Sequence, residues 1–477
     1  MAEYLRPDVY VHEVSTGEKP IQAVSTSTGA FIGLTARGPV NQPVLVTSWT
    51  EFVNKFAGGL NTPFIKEGDL PNAVYGFFQN GGSRAYTVRT ASASSVKAQG
   101  TLGEELVFHA KDEGAWANGV LSVVVATGVG NTYNVTVKMG SEIVEVYEGL
   151  VNDSDKAQYF VDVINQDSSY ISFPSEVQGS LTAGTVTFSR GDDAHASISN
   201  SDHIKGLNAL DLVQSVNLVA MPGLTEEAIA SALVGYCDTR NECFAIVDAP
   251  VGSTVESVQE FRNALGGTNG AVYFPNIKIS DPLGRTTSSL KVCPPSGHIM
   301  GIFARTDANR GVYKAPAGEE AVVRGAVALE TQVPFGAVDV LNPLGVNCII
   351  AKPNAGIVVW GARSLSNDPA KRYVSDVRYD LMIRNSIYTG TQWAVFEPND
   401  EQLWDKIDTS LRGFLDEQWK SGALRGGSAE EAYYVKCDSE LNNDLAIANG
   451  QVVAEIGYAK QKPAEFVIVK IVQKSAE

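Results

Sequence analysis

Near-continuous apolar runs alternate with helical stretches through the middle of the chain. SVNLVAMPG, ECFAIVDAP and GAVYFPNIKI read as strands, and the segments opening at Thr225 and Thr254 read as helices. Strands that are apolar at every position and separated by helices imply an α/β layer whose sheet is covered on both faces. A different texture lies between Arg89 and about Ser201. There VLSVVVAT, YNVTVKM and EIVEVYEG are strand runs broken by Gly and Asn turns, Asp155 to Gln166 reads as a helix, and GTVTFSRG as a further strand. The preceding ASASSVKAQG reads as a small-residue linker into this inserted, β-rich domain.

Toward the N-terminus, Ser25 to Leu34 predicts a strand, GPVNQP a turn and Ser48 to Phe56 a short helix. NAVYGFFQNGG reads as a buried helix stopped by glycines, and Arg84 to Arg89 as a strand leaving it. Pro294 to Arg310 predicts a helix that carries Gly297, Gly301 and Ala304 on one side, which permits close packing. Farther on, Ile357 to Trp360 is a strand, a helix starts at Asn367 to Pro369 and runs to about Tyr388, and Gln392 to Phe396 reads as a second short strand. Pro398 stops it and opens another helix, Asp400 to Gly422, with Asn399 able to cap and Gln402 at the capping-box position. That helix places Leu403, Ile407, Leu411, Phe414 and Leu415 on one stripe, leaving Lys406, Asp408, Arg412 and Glu417 off it, alternating in sign.

Two extended ends complete the pattern. Val9, Tyr10, Val11, His12, Glu13 and Val14 alternate well enough for a strand that needs a partner. Val452 to Tyr458 and Phe466 to Gln473 predict strands joined by AKQKPAE. The second is apolar on both faces, with Phe466, Ile468 and Val472 on one and Val467, Val469 and Ile471 on the other, and Lys470 between. Such a strand invites pairing outside the subunit unless it is covered. Heterologous strand exchange between identical subunits does not close on itself and generates filaments or stacked rings.

A chain of 477 residues with 44% hydrophobic content can bury several cores. No run of about 18 apolar residues is present, so membrane insertion is not expected. The start, MAEYLRPDVYVHEV, lacks the basic region and apolar core of a secretory signal, and synthesis and assembly in a cytoplasm are expected. The net charge of -17 disfavours direct contact with nucleic acid. Its distribution is more informative. Residues 92 to 201 carry 14 Asp and Glu against 5 Lys and Arg, whereas from Ile350 onward the numbers are 18 against 15. The inserted domain is acidic, which keeps its sheet edges unpaired, and the C-terminal region is nearly balanced.

No reaction centre is legible. Five cysteines (Cys237, Cys243, Cys293, Cys348, Cys437) show no C-x-x-C spacing and five scattered histidines show no H-x-x-x-H, so neither a disulfide framework, a metal nor a cofactor is expected. Phosphate-binding glycine motifs and the G-x-S-x-G elbow are absent. The best catalytic alternative, an α/β hydrolase-like enzyme, would use Asp248 and Asp281, which follow strands, and Asp211, which precedes one. Aspartates at such places are commonly turn and capping residues, and no enzyme activity is expected. Lys314 and the Glu319-Glu320 pair more readily frame a loop than a site.

Three stretches are highly specific in wording: WGARSLSNDPAKRYV, RNSIYTGTQWAVFEPND and GALRGGSAEEAYYVKCD. With Arg310 to Ala317 they closely resemble the C-terminal core of contractile tail sheath proteins, which sheathe myophage tails, R-type bacteriocins and extracellular injection particles. Where relatives often carry an aromatic followed by Pro-Gly-x-Gly, this chain has Lys352, Pro353, Asn354, Ala355 and Gly356. The resemblance implies an α+β and α/β multidomain chain: a mixed-sheet sheath core built from N- and C-terminal parts, an α/β middle domain, a β-rich inserted domain and terminal strand arms. The expected boundaries are 1-20 and 460-477 for the arms, 21-91 and 346-459 for the core, 92-201 for the outer insertion and 202-345 for the middle domain. It also implies a structural subunit of a virion tail or tail-like particle. The subunit would polymerise helically around an inner tube protein, with baseplate and tail terminator proteins as further partners. It would contract from a metastable extended state to drive the tube through a target envelope. A static coat or tube protein is the remaining alternative. Lys406, Asp408, Arg412 and Glu417 are the candidate tube-facing residues.

Overall fold

The computed structural model describes residues 20–59, 64–281, 290–466 and 468. The chain separates into two compact units. The larger is Ser25–Arg378, and the smaller combines the described residues up to Val24 with those from Tyr379 onward.

The larger unit is organised by an eight-stranded sheet in the order Gly356–Val359, Val346–Lys352, Gly270–Phe274, Phe244–Asp248, Leu218–Ala220, Gly29–Gly33, Ala85–Arg89 and Val44–Val46. The six inner strands are parallel, and the two outermost pair antiparallel. The expectation of a sheet covered on both faces holds, and side-chain alternation shows how. Ala30, Ile32, Val219, Ala245, Val247, Val272 and Phe274 join one core with residues of the Glu227–Arg240, Val255–Ala264 and Phe335–Leu341 helices. Phe31 and Tyr273 point the other way, edge-on to Phe77 and Phe303 of the Leu70–Asn80 and Ser296–Arg310 helices. Strands expected in segments 21-91, 202-345 and 346-459 thus lie in one continuous hydrogen-bonded sheet. The Lys352 to Gly356 sequence makes the turn between the two strands at one end, with Gly356 at φ +76.

Sequence periodicity located the helix pair well. Leu70–Asn80 stops at Gly81, whose φ of +117 is accessible to glycine at little cost. The expected small-residue side of Ser296–Arg310 lies against it. A Cβ on Gly297 would lie 2.1 Å from the Ala73 carbonyl oxygen, and one on Gly301 would lie 2.5 Å from that of Phe77. At the start of the same helix, buried Asp248 accepts hydrogen bonds from the Ser296 backbone N–H and Oγ, both at 2.7 Å. Burial is the main cause that pushes its carboxyl up to about 7.

The inserted segment builds a separate core on two antiparallel sheets. One contains Gly184–Thr187, Leu121–Thr127, Tyr133–Met139 and Glu142–Leu150, and the other Lys97–Leu102, Leu106–Glu113 and Ile171–Ser172. Two expectations need correction. The small-residue linker becomes strand from Lys97, because its Ala98, Gly100 and Leu102 are the inward positions of a ladder against Leu106–Glu113. The helix expected from Asp155 begins only at Phe160, because Asp153 Oδ1 accepts the Asp155 N–H at 3.1 Å and holds a turn there. The insertion is tied down by arginines: buried Arg89 donates to the carbonyls of Gly38 (3.1 Å) and Glu113 (2.9 Å), and Arg37 lies 4.3 Å from the Tyr170 ring centroid.

In the smaller unit, the helix Val374–Thr391 enters from the larger one and runs on past the expected end at Tyr388. The strand expected at Gln392 to Phe396 does not form. Gln392–Ala394 is a 3-10 turn, with Gln392 Nε2 donating to the Tyr388 carbonyl at 3.1 Å. Its β-forming side chains find no ladder partner among the described residues, and local helical hydrogen bonds win. The next helix is Glu401–Lys420, and its cap is Asp400, whose Oδ1 accepts the Leu403 N–H at 2.9 Å. Asn399, the expected cap, instead accepts from Trp404 Nε1 at 2.8 Å and donates to the Gln451 carbonyl at 2.9 Å. Gln402 is exposed, and a Gln at that position has no Asn399 cap to complete. Tyr433–Lys436 and Glu455–Tyr458 pair antiparallel; the second was expected from Val452.

Two measurements probe this architecture. Gly297→Val should cost at least ~2 kcal/mol in urea denaturation, because backbone rather than a movable side chain occupies the space its Cβ needs; an unchanged midpoint would contradict the close helix approach. Asp248 should make the fold more stable in acid. Its folded carboxyl titrates above the ordinary carboxylate value, so its contribution is complete below about pH 4 and is lost as pH rises toward about 7. Relative to Asp248→Asn, the native chain should therefore lose stability between about pH 4 and pH 7. A pH-independent gap between the two would be inconsistent with the shift.

Candidate functional site

The candidate site is the smaller unit, where both ends of the described chain are held. Residues 20–24 lie along the helix that ends at Thr391. Val24 N–H donates to Ser386 Oγ at 3.0 Å, and buried Ile21 sits over Gly390, where a Cβ would come within 2.7 Å of it. The expected N-terminal arm, Val9 to Val14, precedes this anchor and lies outside the described residues.

At the other end, the chain leaves the Glu455–Tyr458 strand and stays paired for a few residues. Ala459 N–H donates to the Ala432 carbonyl at 2.8 Å and Arg425 N–H to the Ala459 carbonyl at 2.8 Å, and Leu424 bridges Lys460. Asp380 receives both Tyr458 Oη (2.8 Å) and Lys460 Nζ (2.7 Å). Beyond this, Phe466 is 73% and Ile468 84% exposed. Val467, Val469, Lys470, Ile471 and Val472 lie outside the described residues. The two-stranded sheet gains no third strand among the described residues, and Arg412 occupies the Val435 carbonyl on its outer edge.

The Glu401–Lys420 helix buries its expected stripe of Leu403, Ile407, Leu411, Phe414 and Leu415, and adds Trp404, Ser410 and Gln418. At 100° per residue the four charged candidates do not share a face. Lys406 and Glu417 fall within about 20° of each other on one flank, and Asp408 and Arg412 within about 40° on the opposite flank. Arg412 Nε donates to Asp408 Oδ2 at 2.5 Å, and Nη2 donates to the Val435 carbonyl. The Asp408 hydrogen bond is the main reason that the guanidinium is held above its ordinary value. Arg412, itself about half exposed, thus fastens helix to sheet, whereas Lys406 and Glu417 lie exposed on the other flank. Sequence reading missed another exposed feature. Phe396 is 103% exposed at φ +69, next to Val395 at 57%. A fully solvated aromatic in the left-handed region is uncommon. Its only signal was the strand-like run before Pro398.

The aspartates of the catalytic alternative do not converge. Asp248 is consumed at the Ser296 helix start, Asp211 accepts from Tyr236 Oη at 2.8 Å, and Asp281 sits at the far end of the Ile277–Ser280 strand. Among the described residues no helix is long and apolar enough to cross a membrane, and no cluster of three or more His, Cys, Asp or Glu could hold a metal ion.

The phage tail sheath protein central domain matches residues 196–365 and the phage tail sheath C-terminal domain residues 366–474, together more than half of the chain. A Pseudomonas aeruginosa protein described as a prophage major tail sheath protein is 27% identical over 52% of this chain and 62% of its own length. The tail sheath protein of Vibrio phage KVP40 is 22% identical over 73% of this chain and 56% of its own. The chain spans little more than half the length of such curated relatives. Among solved structures, the helical sheath of the anti-feeding prophage in its contracted state aligns with TM-score 0.64 at 22% identity, covering 99% of this chain and 100% of that one. The contracted sheath of the extracellular contractile injection system PVC gives 0.64 at 20%, covering 99% of each. At these identities the likeness is one of fold. Two domain models in sequence order, sheath-named relatives and full-length agreement of fold converge: this chain belongs to the contractile phage tail sheath protein family.

Proposed function

We propose that this chain is the structural subunit of a contractile sheath, which polymerises helically around an inner tube and shortens to drive that tube through a target envelope. One observation carries the reading: the described residues at both ends of the chain are anchored on the same compact unit. The segments before residue 20 and after residue 466 are proposed to add as strands to a neighbour's sheet, where main-chain hydrogen bonds supply affinity and alternate side chains set register. Links of this kind survive while rigid bodies repack between two lattice states. No nucleotide is needed, since the energy is stored in assembly.

The particle is a phage tail or tail-like device built in the bacterial host cytoplasm, with baseplate, terminator and tube proteins as partners. The acidic insertion, with its own core, is the outer domain, where negative charge limits sticking between particles. Lys406 and Glu417 are the tube-facing pair of the four charged candidates, because Asp408 and Arg412 are engaged with each other and with Val435.

Deleting residues 1–17, or everything after Lys462, should leave folded, soluble monomers that form no tubes by negative-stain microscopy. Normal helical polymers from either truncation would refute strand exchange. Intact particles should show two sheath lengths before and after urea or acid shock; a single length would favour a static coat. Lys406→Glu combined with Glu417→Lys should leave melting unchanged and weaken assembly on the tube about tenfold or more, whereas Arg412→Ala should lower stability by ~1 kcal/mol through the lost Val435 hydrogen bond.

A further inference from the structure

Of the five free cysteines, two touch each other. Cys237 lies in the last turn of the Glu227–Arg240 helix, Cys243 immediately precedes the Phe244–Asp248 strand, and their Sγ atoms stand 3.4 Å apart. Both are fully buried. The other three thiols meet different groups: Cys293 the Pro294 carbonyl at 3.4 Å, Cys348 the Val346 carbonyl at 4.0 Å and Cys437 the Asn442 Nδ2 at 3.8 Å.

The turn between Cys237 and Cys243 is held from outside the pair. Asn241, at φ +51, donates its N–H to the Cys237 carbonyl at 2.8 Å and ends the helix. Asn269 Nδ2 donates to the same carbonyl at 3.2 Å and to Asn241 Oδ1 at 3.3 Å, and Arg240 Nη1 donates to the Leu210 carbonyl at 2.9 Å. None of these bonds involves sulfur, so the backbone places both thiols whether or not they react. What remains is to bring the sulfurs from 3.4 Å to the roughly 2.0 Å of a disulfide. Packing at a helix end needs only a small apolar contact, which buried cysteines supply. Two thiols in contact supply a two-electron chemistry besides.

We propose that Cys237 and Cys243 are a redox modification site, a dithiol that a small peroxide closes to an intrachain disulfide. One thiol, reacting as its thiolate, attacks a peroxide oxygen; the O–O bond breaks, a sulfenic acid forms, and the departing hydroxide takes up the thiol's proton. The second sulfur attacks the sulfenic sulfur, the S–O bond breaks, and the S–S bond forms as water leaves. The pair loses two electrons and two protons, and one peroxide becomes two waters. Burial holds the Cys237 thiol well above its ordinary value, so the step is slow in the intact fold. The closed bridge staples the helix end to the strand start. Its use rests on the sheath reading, in which a particle leaves a reducing cytoplasm for an oxidising medium; its chemistry does not.

Hydrogen peroxide added to the folded full-length chain tests it. After denaturation, three of the five thiols should remain titratable, the chain should be about 2 Da lighter, and peptide mapping should find Cys237 joined to Cys243. Dithiothreitol should restore all five. Amides of residues 237–243 should exchange with deuterium about tenfold more slowly in the oxidised chain. Cys243→Ala should form no intrachain disulfide, and the measurement on the unaltered chain stands by itself should that variant fail to fold. Five intact thiols under peroxide that oxidises the urea-unfolded chain would overturn the proposal. So would sulfinic acid at either cysteine without the cross-link, or loss of Cys293 and Cys348 at the same rate, which would mark global unfolding. Unchanged exchange in a cross-linked chain would overturn the staple. Particles of a single length would defeat the sheath reading and leave the cross-link standing.

Discussion

The burial of the Ser296–Arg310 helix is the constraint from which most of the structure follows. It lies against one face of the sheet through Met300 and Phe303, and it can lie there only because Gly297 and Gly301 let it sit on the backbone of the Leu70–Asn80 helix. Its start is held by Asp248 from a central strand, and near its end Asp307 grips Arg378. Arg305 on the same helix donates to the carbonyls of Asn80 (3.0 Å) and Val322 (2.9 Å). One helix therefore joins segments that are far apart in the chain. Native interiors are packed closely enough that its position leaves little freedom to any of them.

The larger unit has a parallel sheet with helices on both faces and an acidic insertion fastened by Arg37 and Arg89. The smaller unit has a two-stranded sheet, an exposed Phe396 and the described residues of both chain ends.

The candidate site was only partly legible in the sequence. Apolar alternation at the two ends raised the expectation of contacts outside the subunit, and those stretches lie almost wholly outside the described residues. The four charges on Glu401–Lys420 looked like one group because alternating sign along a helix carries no record of which flank meets a neighbour. Once Arg412 reaches the Val435 carbonyl, the set divides in two. The cluster in which Arg378 donates to Asp307 and to the Thr26 carbonyl had no signal at all, since each residue is unremarkable in its own segment and only folding across hundreds of positions brings them together.

What the sequence determined by itself was everything that depends on local periodicity. That includes the fully apolar strands, the small-residue face of Ser296–Arg310, the buried stripe of Glu401–Lys420 and the acidic, turn-rich insertion. These patterns are local because burial repeats with the period of the element. Tertiary structure alone decided the rest: that Gln392 to Phe396 coils where its composition favours a strand, that Asp400 caps where Asn399 was expected, that strands from three segments share one sheet, and that both chain ends belong to one unit. Each of these depends on a partner distant in sequence, a ladder, a carbonyl or an opposing charge, and pairing energy exceeds the few tenths of a kcal/mol by which neighbouring residues differ in local preference.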